Sequence, residues 1–308
     1  MKAIDWKDYG RTSLVLGVSK ALLVPTTQPM QVVMRHQQGQ LSNGLTLSAK
    51  RALQDLYRGS PKTLGIPTGL FRGWVSAMTK EAIKNGSYKG IAFKGAPTLV
   101  KTYVTPPCVC SNVTQHCMIS GLAAMVAATA DTFIGGPFER YATHRATSQG
   151  HYNNAKFLSE LNTRASPLQK VRFIYKGSSA TFIKTAIACT ALFGGSVPIQ
   201  QYTYQAFGLK TGDDVPLEAS CMAAVSTGGL VAIVSSPFDI AKTILQRPSA
   251  DEHLRTLDIL RQNITRFGIR GMTAGLPIKF FLTLIGWTTV SVVTQQSSTV
   301  RAYELHTF

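Results

Sequence analysis

The chain has 308 residues, of which 44% are hydrophobic, and its 32 Lys and Arg against 15 Asp and Glu give a formal net charge of +17. That surplus points to anionic partners, whether nucleic acid, acidic lipid headgroups or anionic solutes. Nucleic acid is disfavoured, because the bases are scattered rather than striped and no zinc-finger, basic-zipper or RNA-recognition signature is present. Enzyme chemistry finds no foothold either: there is no phosphate-binding glycine loop, zinc-ligand helix or nucleophile elbow, and the Ser and His residues carry no triad spacing.

No Pro/Gly/Ser-rich linker or block of like charge divides the chain, so 1–308 reads as one unit. Met1 to Tyr9 holds Asp5 and Asp8, which is not the pattern of a cleavable signal. Six long helices are predicted at about 11–38, 73–98, 113–146, 177–206, 216–246 and 275–300. Between the members of each successive pair lies a short amphipathic segment, at 45–58, 152–164 and 251–267; in the last, Leu254, Leu257, Leu260 and Ile264 share one face. The stretches 117–136, 221–238 and 280–293 are nearly free of charge, and each approaches the ~20 residues needed to cross a bilayer. A mean hydropathy of only +0.07 fits helices that line a watery cavity and need one apolar face.

Cys108, Cys110, Cys117, Cys189 and Cys221 form an odd set, so no complete disulfide framework is implied. Cys189 and Cys221 lie in apolar runs and read as small buried hydrophobes. Cys108 and Cys110, followed by His116 and Cys117, match no familiar zinc spacing; they read as loop cysteines, with a redox-active pair as the alternative, and no metal or other cofactor is expected.

The strongest signal is Ser236-Pro237-Phe238-Asp239-Ile240-Ala241-Lys242, closed by Gln246. A weaker copy stands at Pro137-Phe138-Glu139-Arg140-Tyr141-Ala142, and a third at Pro29-Met30-Gln31-Val32-Val33-Met34 with Gln38. The prolines are 108 and 100 residues apart. Each removes an amide donor from a long helix and bends it, while an acid and a base three residues apart share roughly one face. A second landmark, an aromatic-basic-glycine triplet, recurs at Phe71-Arg72-Gly73 and Tyr175-Lys176-Gly177. In the third copy Thr273-Ala274-Gly275 keeps only the glycine; a register ending at Arg270-Gly271 fits the proline-to-glycine interval less well.

Proline, acid, base and glutamine at these intervals, with the triplet, resemble the mitochondrial carrier family over nearly the whole chain. The resemblance implies an all-α membrane protein of three tandem repeats, about 1–106, 107–211 and 212–308, with six transmembrane helices in a pseudo-threefold bundle kinked at Pro29, Pro137 and Pro237. It implies residence in the inner mitochondrial membrane, reached without a cleaved leader, and bound cardiolipin at Arg72-Gly73 and Lys176-Gly177, where a helix N-terminus offers free amides. A capping role without lipid is the simpler alternative there.

In the family, the matrix side closes when the acid of one odd-numbered helix pairs with the base of the next. Gln31 would face Ala142 and Asp239 would face Met34, so only Glu139 and Lys242 retain both charges, with Gln38 and Gln246 beside this gate. Arg35, Arg140 and Arg145 stand at other angles. The opposite gate reads Phe93-Lys94-Gly95, Val197-Pro198-Ile199 and Thr294-Gln295-Gln296, without an acid. Losing these pairs removes much of the energy that separates the two closed states.

The family's substrate position, seven residues past the triplet glycine, holds Lys80 and Lys184; in the third repeat it holds Leu282, with Lys279 one turn away. Lysines within membrane helices are costly and suggest contact with an anionic solute. The plainer alternative is that Lys80 pairs with Glu81 and Lys184 snorkels to the interface. Lys20, Lys84 and Asp131 are further cavity candidates. Two expectations follow: a carrier-fold protein that has lost transport and acts as an accessory subunit of a larger inner-membrane assembly, or an active carrier of a small anion.

Overall fold

A computed structural model describes residues 6–58, 62–63, 66–71, 74–83, 112–147, 154–209, 215–247 and 254–296. The first long helix, α1 (Trp6–Gln40), ends in a 3-10 turn, Leu41–Asn43, and the short amphipathic α2 (Ala49–Arg58) follows. A two-residue antiparallel pair, β1 (Lys62–Thr63) with β2 (Ile66–Pro67), and a second 3-10 turn, Thr68–Phe71, lead to α3 (Trp74–Ile83). Next come α4 (Asn112–Ala130), a π-helical segment (Asp131–Gly135) and α5 (Gly136–Thr147). Then α6 (Asn154–Asn162) and α7 (Pro167–Ile174) precede α8 (Ser178–Ala206), α9 (Leu217–Leu245), α10 (Thr256–Met272) and α11 (Leu276–Gln296).

The long helices pack in chain order and the last returns to the first. Helix α1 lies against α3, α3 against α5, α4 against α8, α8 against α9, α9 against α11, and α11 against α1. Among the described residues α9 is the one single helix long and apolar enough to cross a bilayer; α10 and α11, joined across a 55° bend, pass the same test as a pair.

The interior mixes apolar clusters around Leu41, Ile240, Ile244 and Ile259 with small and polar side chains: Ala123, Ala124, Ala127 and Ala128 on α4, and the buried Gln28, Arg35, Glu139, Asp239 and Lys242. Outside are large apolar ones, with Leu22 71%, Phe133 64%, Ile233 58% and Phe281 60% exposed. Small residues let helix backbones approach, and apolar rims suit hydrocarbon, so this distribution is the one a lipid-facing bundle needs.

All three repeat prolines lie inside helices. Pro137 follows the π-helical turn, and its missing N–H frees the carbonyl four residues back, that of Phe133. Tyr175 donates its phenolic O–H to that oxygen at 3.1 Å. The aromatic residue of the second triplet thus repairs the ladder its repeat's proline interrupts. In α1, which also holds Pro25, the Thr26 and Thr27 hydroxyls donate back to the Leu23 carbonyl at 2.8 and 3.0 Å.

The structure departs from the sequence expectations in three places. Helix α7 was not anticipated, although Ser166 accepts from the Gln169 amide as an N-cap and Pro167 sits at the first helical position. Helix α10 extends past 267 to Met272, across a break at Gly268 where φ is +59°. On it, Thr256, Ile259 and Asn263 are buried, while Leu257 and Ile264 face outward, because Ile259 packs with Leu41, Ala180 and Ile244. Of the expected second helix, residues 84–98 lie outside the described residues, as do Cys108 and Cys110.

Gly275 takes the third triplet position. It and Gly177 precede α11 and α8 with nearly the same left-handed backbone, φ +78° and +80°. Each also lies under a side chain from a proline motif: an added Cβ would meet Met34 Cγ at 2.8 Å and Gln38 Nε2 at 3.6 Å above Gly275, and Gln246 Cγ at 3.0 Å above Gly177. Only glycine satisfies both the conformation and the approach.

Candidate functional site

The charged residues of the proline motifs meet where α1, α5 and α9 converge. Glu139 stands two residues past Pro137 and Lys242 five past Pro237, and Lys242 Nζ lies 2.5 Å from Glu139 Oε2, with both side chains 7% exposed. One turn before Lys242 on the same face of α9 is Asp239. Its expected partner position on α1 is Met34, which is instead committed to packing over Gly275.

Asp239 is held from two other helices. Lys184 of α8 reaches its Oδ1 at 2.7 Å, Lys279 of α11 reaches its Oδ2, and Lys279 also donates to Ser235 Oγ at 2.6 Å. Ser235 and Asp239 are four residues apart on α9, so one ammonium bridges a full turn. Both lysines had been expected to contact a substrate; the structure brings them onto a carboxylate of the chain itself.

The other polar residues of the motifs bond locally or between helices. Gln38 accepts from Thr243 Oγ1 at 2.8 Å and donates to the Ala274 carbonyl at 3.4 Å, tying α1 to α9 and to the start of α11. Gln31 bonds within its own helix, to Thr27 Oγ1 at 3.5 Å. Buried Asp131, in the π-helical turn, accepts from Thr185 Oγ1 at 2.9 Å, and Lys20 donates to the Gly286 carbonyl at 2.6 Å. Arg35, 8% exposed, lies within electrostatic reach of Glu139 and Asp239, whereas Arg140 turns onto the Phe173 ring, 5.2 Å from its centroid. Just beyond α9, Arg247 donates to the Gly39 carbonyl and Ser42 Oγ, and desolvation lowers its guanidinium pKa below the ordinary value.

No family model matches the chain. A curated relative, mitochondrial substrate carrier family protein D of Dictyostelium discoideum, is 22% identical over 169 residues, which is 52% of this chain. The chain spans about half (49%) of that relative's length. The match supports a divergent mitochondrial carrier. Of the two acids of the proline motifs, Glu139 meets a lysine of another proline-motif helix, Lys242, whereas Asp239 meets lysines from α8 and α11, which carry no such motif.

A separate cavity of about 320 Å³ opens where the N-termini of α2 and α11 converge, lined among others by Gln37, Ser48, Arg270 and Gly275. Helix-end amides with a guanidinium suit an anionic headgroup. Lys176 and Gly177 stand at the corresponding start of α8, while Arg72, Gly73 and the Lys80 side chain lie outside the described residues.

Sequence reasoning missed the convergence on Asp239. The signal was available: an acid stripped of its motif partner in a buried place needs a cation from somewhere, and Lys184 and Lys279 were the lysines already assigned to the interior.

Proposed function

We propose that this chain is a six-helix, pseudo-threefold carrier-fold protein of the inner mitochondrial membrane that has lost efficient alternating access and serves as a structural or accessory subunit of a larger membrane assembly. The double hold on Asp239 carries this reading. In a carrier, the closing ion pairs join odd-numbered helices and must break and re-form as access alternates. Here the carboxylate is tied to α8 and to α11, and Ser235 adds a second contact to Lys279. Because both ties cross to helices that must move relative to α9, they oppose the opening.

The packing of the helices in chain order, the three helix-embedded prolines and the matched glycines Gly177 and Gly275 under Gln246 and Gln38 support the threefold repeat. The cavity at Gly275, with Arg270 at its edge, and the left-handed glycine at the start of α8 favour cardiolipin as the bound lipid. One observation favours a second reading, exchange of a small anion: Lys184 and Lys279 are available to a solute once Asp239 lets go.

The accessory role is tested by solubilising mitochondria in a mild detergent and following the chain on a native gel. The proposal expects it in a band several times the 33.3 kDa of the chain. Migration as a lone chain, together with saturable exchange after reconstitution, would overturn it.

A further inference from the structure

Among the described residues, the interior carries more positive charge than it balances. Around the convergence point Arg35, Lys184, Lys242 and Lys279 share two carboxylates, Glu139 and Asp239. Widening the circle adds one acid, Glu81, and one further base, Lys20, and leaves the surplus at two. Even with Asp131, which is bonded to Thr185, it stays positive.

Lys242 has Glu139 to itself while Lys184 and Lys279 share Asp239, so one unbalanced charge stays with that triad and the other falls on Arg35. Its side chain is 8% exposed, and its Nη1 is fully buried with no hydrogen-bond partner among the described residues. A guanidinium offers five donors in a fixed fork that matches an oxyanion, and burying one with donors unmet is among the costliest arrangements in a folded chain. Met34, the residue before it, is the motif position that lost its base, so Arg35 stands one step out of register with the carboxylates.

We propose that the buried cluster around Arg35 holds a small inorganic anion, phosphate or chloride in class, as a resident counter-ion that is bound rather than transported. The ligand satisfies the guanidinium fork and the charge that Glu139 and Asp239 leave over, and it leaves the Lys242–Glu139 and Lys184–Asp239 pairs in place. The inference rests on the membrane-protein reading given above and on the burial of Arg35, since in a water-filled groove the same charges would be screened.

The test is the thermal transition of the purified full chain in detergent, titrated with sodium phosphate, sulfate or chloride against gluconate at constant ionic strength. The expected result is a saturable upward shift with at least one of the three anions, and an apparent affinity about tenfold or more weaker in Arg35→Gln, as for loss of a charge-assisted bond. Arg35→Lys, which keeps the charge but not the fork, should bind more weakly than the native chain and more tightly than Arg35→Gln. Saturation by phosphate and sulfate alone identifies an oxyanion site, and saturation by chloride a halide site; either supports the proposal. A shift that rises without saturating for every salt overturns it on the native chain alone, whether or not Arg35→Gln folds, and so does an affinity unchanged in a folded Arg35→Gln. Anion binding accompanied by exchange of that anion in liposomes would overturn both the resident role and the transport-impaired reading, whereas no binding and no exchange would end the site and leave that reading standing.

Discussion

The two surviving acids of the proline motifs are held in different ways. Glu139 is met by one ammonium, that of Lys242 on the next odd-numbered helix, in a contact that a sliding movement of α5 against α9 would break. Asp239 is met by two, from α8 and α11, and the second is also anchored to Ser235. The first arrangement is a latch and the second a bracket. Where a motif position holds no base, as at Met34, the carboxylate does not remain without a partner; it is met by cations from two neighbouring helices.

Removing the carboxylate of the bracket should therefore have the largest effect. Asp239→Ala leaves the ammoniums of Lys184 and Lys279 facing one another in a buried place, and it should destabilise the chain by on the order of 3 kcal/mol or more. The loss is read as a lower thermal transition, followed with a thiol-reactive dye at buried Cys189 in a chain whose other four cysteines are changed to serine. Glu139→Gln strands one ammonium that still has Asp239 nearby, so its shift should be smaller; equal shifts would mean that latch and bracket do not differ. The double change Glu139→Gln with Lys242→Met should recover part of the loss, because deleting both partners of a buried pair costs less than deleting one.

Smaller effects probe the frame that positions both acids. Gly275→Ala forces a left-handed backbone on alanine, at about 1–2 kcal/mol, and drives a methyl against Met34 Cγ, 2.8 Å from the ideal Cβ. Adding Met34→Ala should relieve the second part of that penalty and not the first. Tyr175→Phe removes the donor to the Phe133 carbonyl beneath Pro137 and should cost about 1 kcal/mol. An unchanged transition would mean that water serves that carbonyl equally well.

The long helices other than the second, which is described only over Trp74–Ile83, were legible with their proline motifs because each rests on local signals: apolar runs, embedded prolines, an acid and a base at fixed offsets. Glu139 and Lys242 could be paired in advance for the same reason, since both keep their motif positions. The partners of Asp239 could not, because Lys184 and Lys279 belong to other helices and their direction depends on how α8 and α11 rotate against α9. Nor could Tyr175 be read as the donor to Phe133, forty-two residues earlier, without the packing of α8 beside the π-helical turn. Helix α7 was legible and overlooked: Ser166-Pro167 is a helix start in its own right.

Transport tests the bracket on Asp239 most directly. Purified chain is reconstituted into cardiolipin-containing liposomes loaded with phosphate, nucleotides, or di- and tricarboxylates, and uptake of the same labelled solute is followed. If the bracket on Asp239 holds α8, α9 and α11 together, no saturable exchange is expected for any of them. Saturable counter-exchange that falls when Lys184 or Lys279 is changed to alanine would contradict the account and make those lysines a substrate site.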